Sequence, residues 1–144
     1  MDLSWLKWPL IILAVVGALW LLSSGGTAYM YNRFSADPGE DEVLARRYES
    51  GLTNLGNFLL KTLRYEEAEE VIRSAVEKYP NGKNVYLNWY RLAKLAEKRG
   101  AYDESVRILE GLMREDANAF DKRVPPYDNL RLRADSLIET HDLR

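Results

Sequence analysis

Few side chains in this chain have the type and spacing for chemistry. His141 is the single histidine. It lies near the end of the sequence, in a stretch expected to fray, and lacks the nearby orienting group that acid–base work needs. Glu66, Glu67, Glu69 and Glu70 form an acidic cluster that would suit a cation by charge alone. Their place in the first turns of a helix explains them better, because carboxylates there oppose the positive end of the helix dipole. The acids from Asp37 to Glu42 lack the alternating acids, Gly and closing Glu of an EF-hand loop. They read as a solvated linker. There is no P-loop, no HExxH and no Gly-x-Ser-x-Gly. The chain has no cysteine, so disulfides and thiolate metal sites are excluded. These residues predict no enzyme, no cofactor, no metal and no small-molecule substrate.

Charge narrows the partners further. The chain holds 20 Lys plus Arg against 22 Asp plus Glu, a net charge of −2. That is no electrostatic footprint for nucleic acid. Nor does a basic cluster sit beside the apolar stretch to grip anionic lipid.

That stretch runs from Trp8 to Asn32 without a charged side chain, between Lys7 and Arg33. A helix of this length reaches roughly 37 Å, enough to cross a hydrocarbon core of roughly 30 Å. Trp5 and Trp8 stand at one end and Tyr29 and Tyr31 at the other, as at two membrane–water interfaces. The first reading is a single-pass anchor in contact with the bilayer through residues 8–32. A cleaved signal peptide is the second, since Gly26-Thr27-Ala28 offers small residues for a peptidase. A buried helix of a soluble domain is the third. Ser23 to Ala28 is small and weakly helical; it reads as a soft point late in the anchor helix or as a well-packed stretch, and packing is the favoured of the two.

The expected organisation is a tail over 1–7, a membrane helix over 8–32, a linker over 33–42 and a helical domain over 43–144. Pro38-Gly39 breaks any helix within the linker. The α-amine and Lys7 outweigh Asp2 on one flank, whereas Arg33 is followed by acids on the other. The Lys and Arg balance places the N-terminus inside and the domain outside, for example in a bacterial periplasm beside the inner membrane.

Beyond the linker the apolar period is helical throughout. It runs through Leu44, Tyr48, Leu52, Leu55, Leu59 and Leu63, then Tyr65, Ala68, Ile72, Ala75 and Tyr79. It resumes at Tyr86, Trp89, Leu92 and Ala96, then Tyr102, Val106, Leu109 and Leu112. After Val124-Pro-Pro126 a last helix is expected through about Thr140. Arg64-Tyr-Glu-Glu-Ala and Ala101-Tyr-Asp-Glu-Ser look alike, and a repeat of this size made of two helices marks a solenoid array.

Here the chain resembles the tetratricopeptide repeat family. The first copy, Glu49 to Gly82, matches at Leu52, Leu55-Gly56, Leu59, Tyr65, Ala68, Ile72, Ala75 and Pro80. It departs at Leu63, where the family's turn prefers Gly. The second copy matches at Trp89, Leu92-Ala93, Ala96, Gly100, Tyr102, Ser105 and Leu109. It departs at Leu112 and Ala117. The resemblance implies an all-α fold: a membrane helix followed by a short solenoid of two helix pairs and a C-terminal capping helix. It also implies a groove that holds peptides or protein surfaces. Carried over by position, that groove would be lined by Ser50, Thr53, Asn57, Leu60 and Lys61, then by Leu87, Tyr90, Lys94, Glu97 and Lys98. Thr53 stands where carboxylate-clamping members place Lys, which speaks against capture of a terminal carboxylate. Two functions follow from the resemblance. One is a membrane-anchored scaffold that serves as a structural or assembly subunit of a larger membrane complex. The alternative is a tethered chaperone or adaptor for exported proteins.

Overall fold

The computed structural model describes residues 3–144, and every regular element among them is helical. A short 3₁₀ turn, Ser4–Leu6, leads into α1, Lys7–Leu22. Next come α2 (Ser24–Phe34), α3 (Glu42–Lys61) and α4 (Tyr65–Lys78). They are followed by α5 (Val85–Lys98), α6 (Tyr102–Arg114), the single turn α7 (Ala117–Phe120) and α8 (Tyr127–His141).

The run from Ser4 to Leu22 is long and apolar enough to cross a membrane. No side chain of α1 is buried, so it is not the core helix of this domain. The charge-free stretch does not form one helix, however. Ser23 adopts an extended conformation (ψ 170°) and its hydroxyl caps α2 by accepting from the Gly26 amide at 3.4 Å. A Cβ on Gly26 would fall 2.3 Å from the Trp20 carbonyl oxygen. The start of α2 therefore turns back tightly against the last turn of α1, and only glycine permits that approach.

α2 belongs to the domain, which corrects two expectations. Met30, Tyr31 and Phe34 pack against the core, and the Tyr31 hydroxyl lies 2.8 Å from Ser74 Oγ. Tyr31 is thus no interfacial anchor, and the apolar span ends at Leu22. Residues 35–41 are likewise no tether. They form a tight loop between two helices packed on each other, with Gly39 N donating to Asp37 at 2.9 Å. Asp41 then caps α3 by accepting from the amides of Val43 and Leu44 at 3.0 and 3.1 Å.

α3 and α4 form one helical hairpin and α5 and α6 another. α4 packs on α5, and α8 returns onto α6. Leu52, Leu59, Ile72 and Leu92 are at most 1% exposed in the first core cluster. Each such side chain contributes roughly 1.5–3 kcal/mol of transfer free energy. Gly56 lets the first hairpin close, because a Cβ there would meet Ile72 Cγ1 at 2.4 Å. The second cluster joins Val106, Leu109 and Leu112 of α6 to Val124 and to Leu130, Ala134 and Leu137 of α8. Trp89 and Ile108 pack against both clusters. His141, expected in a fraying stretch, lies within α8. It ends α8 with its ring stacked 3.5 Å from that of Tyr102.

The two hairpin turns have the same geometry. At the first, Leu63 is left-handed (φ +62°) and Arg64 N donates to the Leu59 carbonyl at 2.9 Å. At the second, Gly100 is left-handed (φ +81°) and Ala101 N donates to the Ala96 carbonyl at 2.8 Å. This is the helix-ending motif that favours Gly, and Leu63 fills it with a side chain. Leu63→Gly in residues 24–144 alone is expected to raise unfolding free energy by about 1 kcal/mol. Urea denaturation followed by circular dichroism checks it.

Candidate functional site

The ten residues expected to line one groove fall into separate environments. Thr53 and Leu87 are only 4% and 8% exposed. The Thr53 hydroxyl donates to the Glu49 carbonyl at 2.9 Å and accepts from Asn88 Nδ2 at 2.9 Å. Arg91 Nη1 donates to the Thr53 carbonyl at 3.3 Å. These bonds tie α3 to α5, so Thr53 is used between helices and is closed to a ligand. Leu87 is closed by burial, and Leu60 packs against the first core cluster. Ser50 lies in a cleft of about 750 Å³ beside Arg46, Tyr79 and Lys83. Asn57 is half-buried and Lys61 exposed, in neither of these settings.

The structure does bring Tyr90, Lys94, Glu97 and Lys98 together, in a cleft of about 480 Å³ closed by Asn129 and Arg133 of α8. Its polar groups are engaged with one another. Lys94 Nζ stands 5.3 Å from the Tyr90 ring, and Glu97 accepts from Arg133 Nε at 3.2 Å. Lys98 Nζ sits 4.7 Å over the Tyr65 ring.

A larger opening, about 750 Å³, lies between α5 and α6, and the sequence reading missed it. Its floor is Val85, Tyr86, Trp89, Ile108, Gly111 and Leu112, with Glu104, Arg107 and Glu115 at the rim. Phe120, 75% exposed, lies against Tyr86 with ring centroids 5.9 Å apart. An apolar floor with aromatics inside a charged rim is the anatomy of a protein-binding patch. The signal that could have found it is Gly111. Nothing lies within 4 Å of a Cβ built there, so packing within this chain does not require glycine. Yet glycine inside a helix costs about 0.5–1 kcal/mol relative to alanine.

A buried polar knot fixes these faces relative to each other. Glu49, 3% exposed, accepts from the Asn84 amide at 2.9 Å and from Asn84 Nδ2 at 2.8 Å. Asn84 Oδ1 accepts from Arg123 Nη2 at 2.7 Å, and Arg123 pairs with Asp121 at 2.8 Å. Burial, with help from the nearby Arg123 charge, lowers the Arg91 guanidinium from its ordinary value. A second cluster joins Arg73, hydrogen-bonded to Glu69 and Glu104 at 2.9 Å each, with Arg99, which also binds both carboxylates.

Arg123 holds the Asp121 carboxyl below the usual carboxylate range. Burial alone would raise Glu104, but the hydrogen bonds from Arg73 and Arg99 outweigh it and the net shift is downward. Both folded values lie below the unfolded ones. Their stabilisation is therefore fully present above the ordinary carboxylate pKa and is lost as pH falls through the lowered values. Thermal melts should lose stability from about pH 4 downward, and less steeply in Arg123→Ala or Arg73→Ala. A pH dependence identical to wild type in both variants would refute this assignment.

Among the described residues no three His, Asp or Glu side chains converge on a possible metal position. Compared with models of known families, with characterised proteins and with solved structures, the chain matches none.

Proposed function

We propose that this is a single-pass membrane protein whose helical domain is a tetratricopeptide-like scaffold, held as a fixed structural or assembly subunit of a larger membrane complex. One observation carries this reading. The end of the apolar helix is bonded directly to the domain. Arg64 Nη2 donates to Thr27 Oγ1 at 2.9 Å, and the same guanidinium lies 3.4 Å from the Leu22 carbonyl and 3.5 Å from Ser24 Oγ. A client-searching adaptor needs a flexible tether, and this joint has none.

The anchor reading gains support from the same place. Thr27, within the small-residue stretch that a signal peptidase would need, is 3% exposed inside α2. The apolar side chains of α1 are exposed along its length and none is buried, and lipid is the solvent that suits such a surface. Lys7 favours an inside N-terminus, which puts the domain outside, the periplasmic side in a bacterial inner membrane. The cleft over Trp89 and Ile108 offers the patch for a neighbouring subunit.

The test is purification of the tagged full-length chain from its native membrane in mild detergent, with mass spectrometry of what accompanies it. A few partners in fixed ratio are expected. A broad, substoichiometric set of exported proteins would replace the subunit reading with a tethered chaperone.

A further inference from the structure

Leu63 is exposed at 70% in a left-handed turn, where a glycine would be cheaper. The chain itself shows the cheaper solution, since the matching turn of the second hairpin uses Gly100. What distinguishes the two turns is location. Arg64, next in sequence to Leu63, reaches the Leu22 carbonyl, where the apolar run ends. Consecutive Cα atoms are only about 3.8 Å apart, so Leu63 lies about one arginine side chain's reach from the end of α1.

Aromatic rings mark the same level. Trp20, two residues before Leu22, lies against Tyr29 with ring centroids 6.2 Å apart, and both are half-exposed. Trp and Tyr settle at the headgroup level of a bilayer. Charge around the turn is mixed. Lys61 is exposed, Glu66 is exposed, and Arg64 is paired with Glu67. Such a surface does not select anionic lipid, but it does not oppose shallow insertion of one apolar side chain.

We infer that the α3–α4 turn is a second membrane contact, with the Leu63 side chain seated in the interfacial layer of the bilayer beside α1. The contact is apolar, so zwitterionic lipid suffices and added salt leaves it in place. Together with α1 it gives the domain two points of attachment, which fixes its tilt on the membrane and aims the α5–α6 cleft in one direction. This inference rests on the anchor reading.

The absence of cysteine makes a clean test possible. Single substitutions Leu63→Cys, Val16→Cys and Asn81→Cys are made in the full-length chain. Each is labelled with an environment-sensitive fluorophore and reconstituted into phosphatidylcholine vesicles. Lipids spin-labelled near the headgroup or deep in the acyl chain then quench by depth. Position 16 lies within α1, and position 81 lies past the far end of α4, about 20 Å from the turn along the helix.

The expected result is strong quenching at position 63 by the shallow label, at 16 by the deep label, and at 81 by neither. Position 63 behaving like 81 while 16 is quenched would overturn the contact and leave the anchor standing. No quenching at 16 would remove the anchor and the contact with it. Lys61→Cys, at the exposed end of α3, repeats the test should labelling at 63 disturb the turn.

Discussion

Trp89→Ala should lower the unfolding free energy by about 3 kcal/mol, the lower end of the range for removing a large aromatic from a packed position. The ring is half-buried rather than enclosed, which sets the lower end. Its position sets the size. Trp89 packs against both core clusters, the one built on α3 and α4 and the one built on α6 and α8. Truncation opens a void at the seam between them, and α5 has no other large aromatic that touches both. A drop of roughly 10 °C or more in Tm should accompany it. A surface tryptophan would cost less than about 0.5 kcal/mol. A change that small, in urea denaturation, would show that the two hairpins do not share a seam at this residue.

The second large effect lies in the polar knot. Glu49→Ala is expected to cost about 3 kcal/mol, because it leaves the Asn84 amide and Nδ2 buried without their acceptor. The loop above the carboxylate is close, and a Cβ on Gly82 would come within 2.9 Å of Glu49 Cγ. The loop cannot simply slide to find other partners. Glu49→Gln keeps one acceptor but presents a donor to Asn84 Nδ2, so an intermediate loss of about 1–2 kcal/mol is expected. Equal losses in the two variants would mean that packing of the side chain, not its acceptors, holds the loop. Denaturant midpoints compared at unchanged slope distinguish the two.

Both predictions depend on relations that periodicity does not contain. The steps of three and four in α3 to α6 announce helices with one apolar face, and Leu52, Leu59, Ile72 and Leu109 are buried where those steps place them. The turns at Leu63 and Gly100 were also legible, since a helix–turn–helix repeat marks them by position. Thr53 was not legible as a buried residue. A threonine on a polar stripe looks solvent-facing until α5 approaches and Asn88 takes its hydroxyl. Nothing in the sequence sets Glu49 apart from the other acids, and only the α4–α5 loop folding back onto it makes it a keystone of that loop.

The apolar N-terminal helix shows the same division. Composition alone marked residues 8–32 as a run without charge, with an apolar part long enough to belong to a helix that could cross a membrane. The helical class of the rest was determined just as locally, by which residues recur on one face. Where the apolar run ends was decided by tertiary structure. Ser, Gly and Tyr in residues 23–31 are compatible with a continuing membrane helix and equally with a turn into the domain. The choice falls to Gly26 meeting the Trp20 carbonyl and to Tyr31 and Phe34 meeting the core. A sequence pattern states which faces are apolar. It does not state which of several apolar surroundings, lipid or neighbouring helix, will cover each of them. That is decided by shape and by hydrogen-bond partners that are distant in the chain.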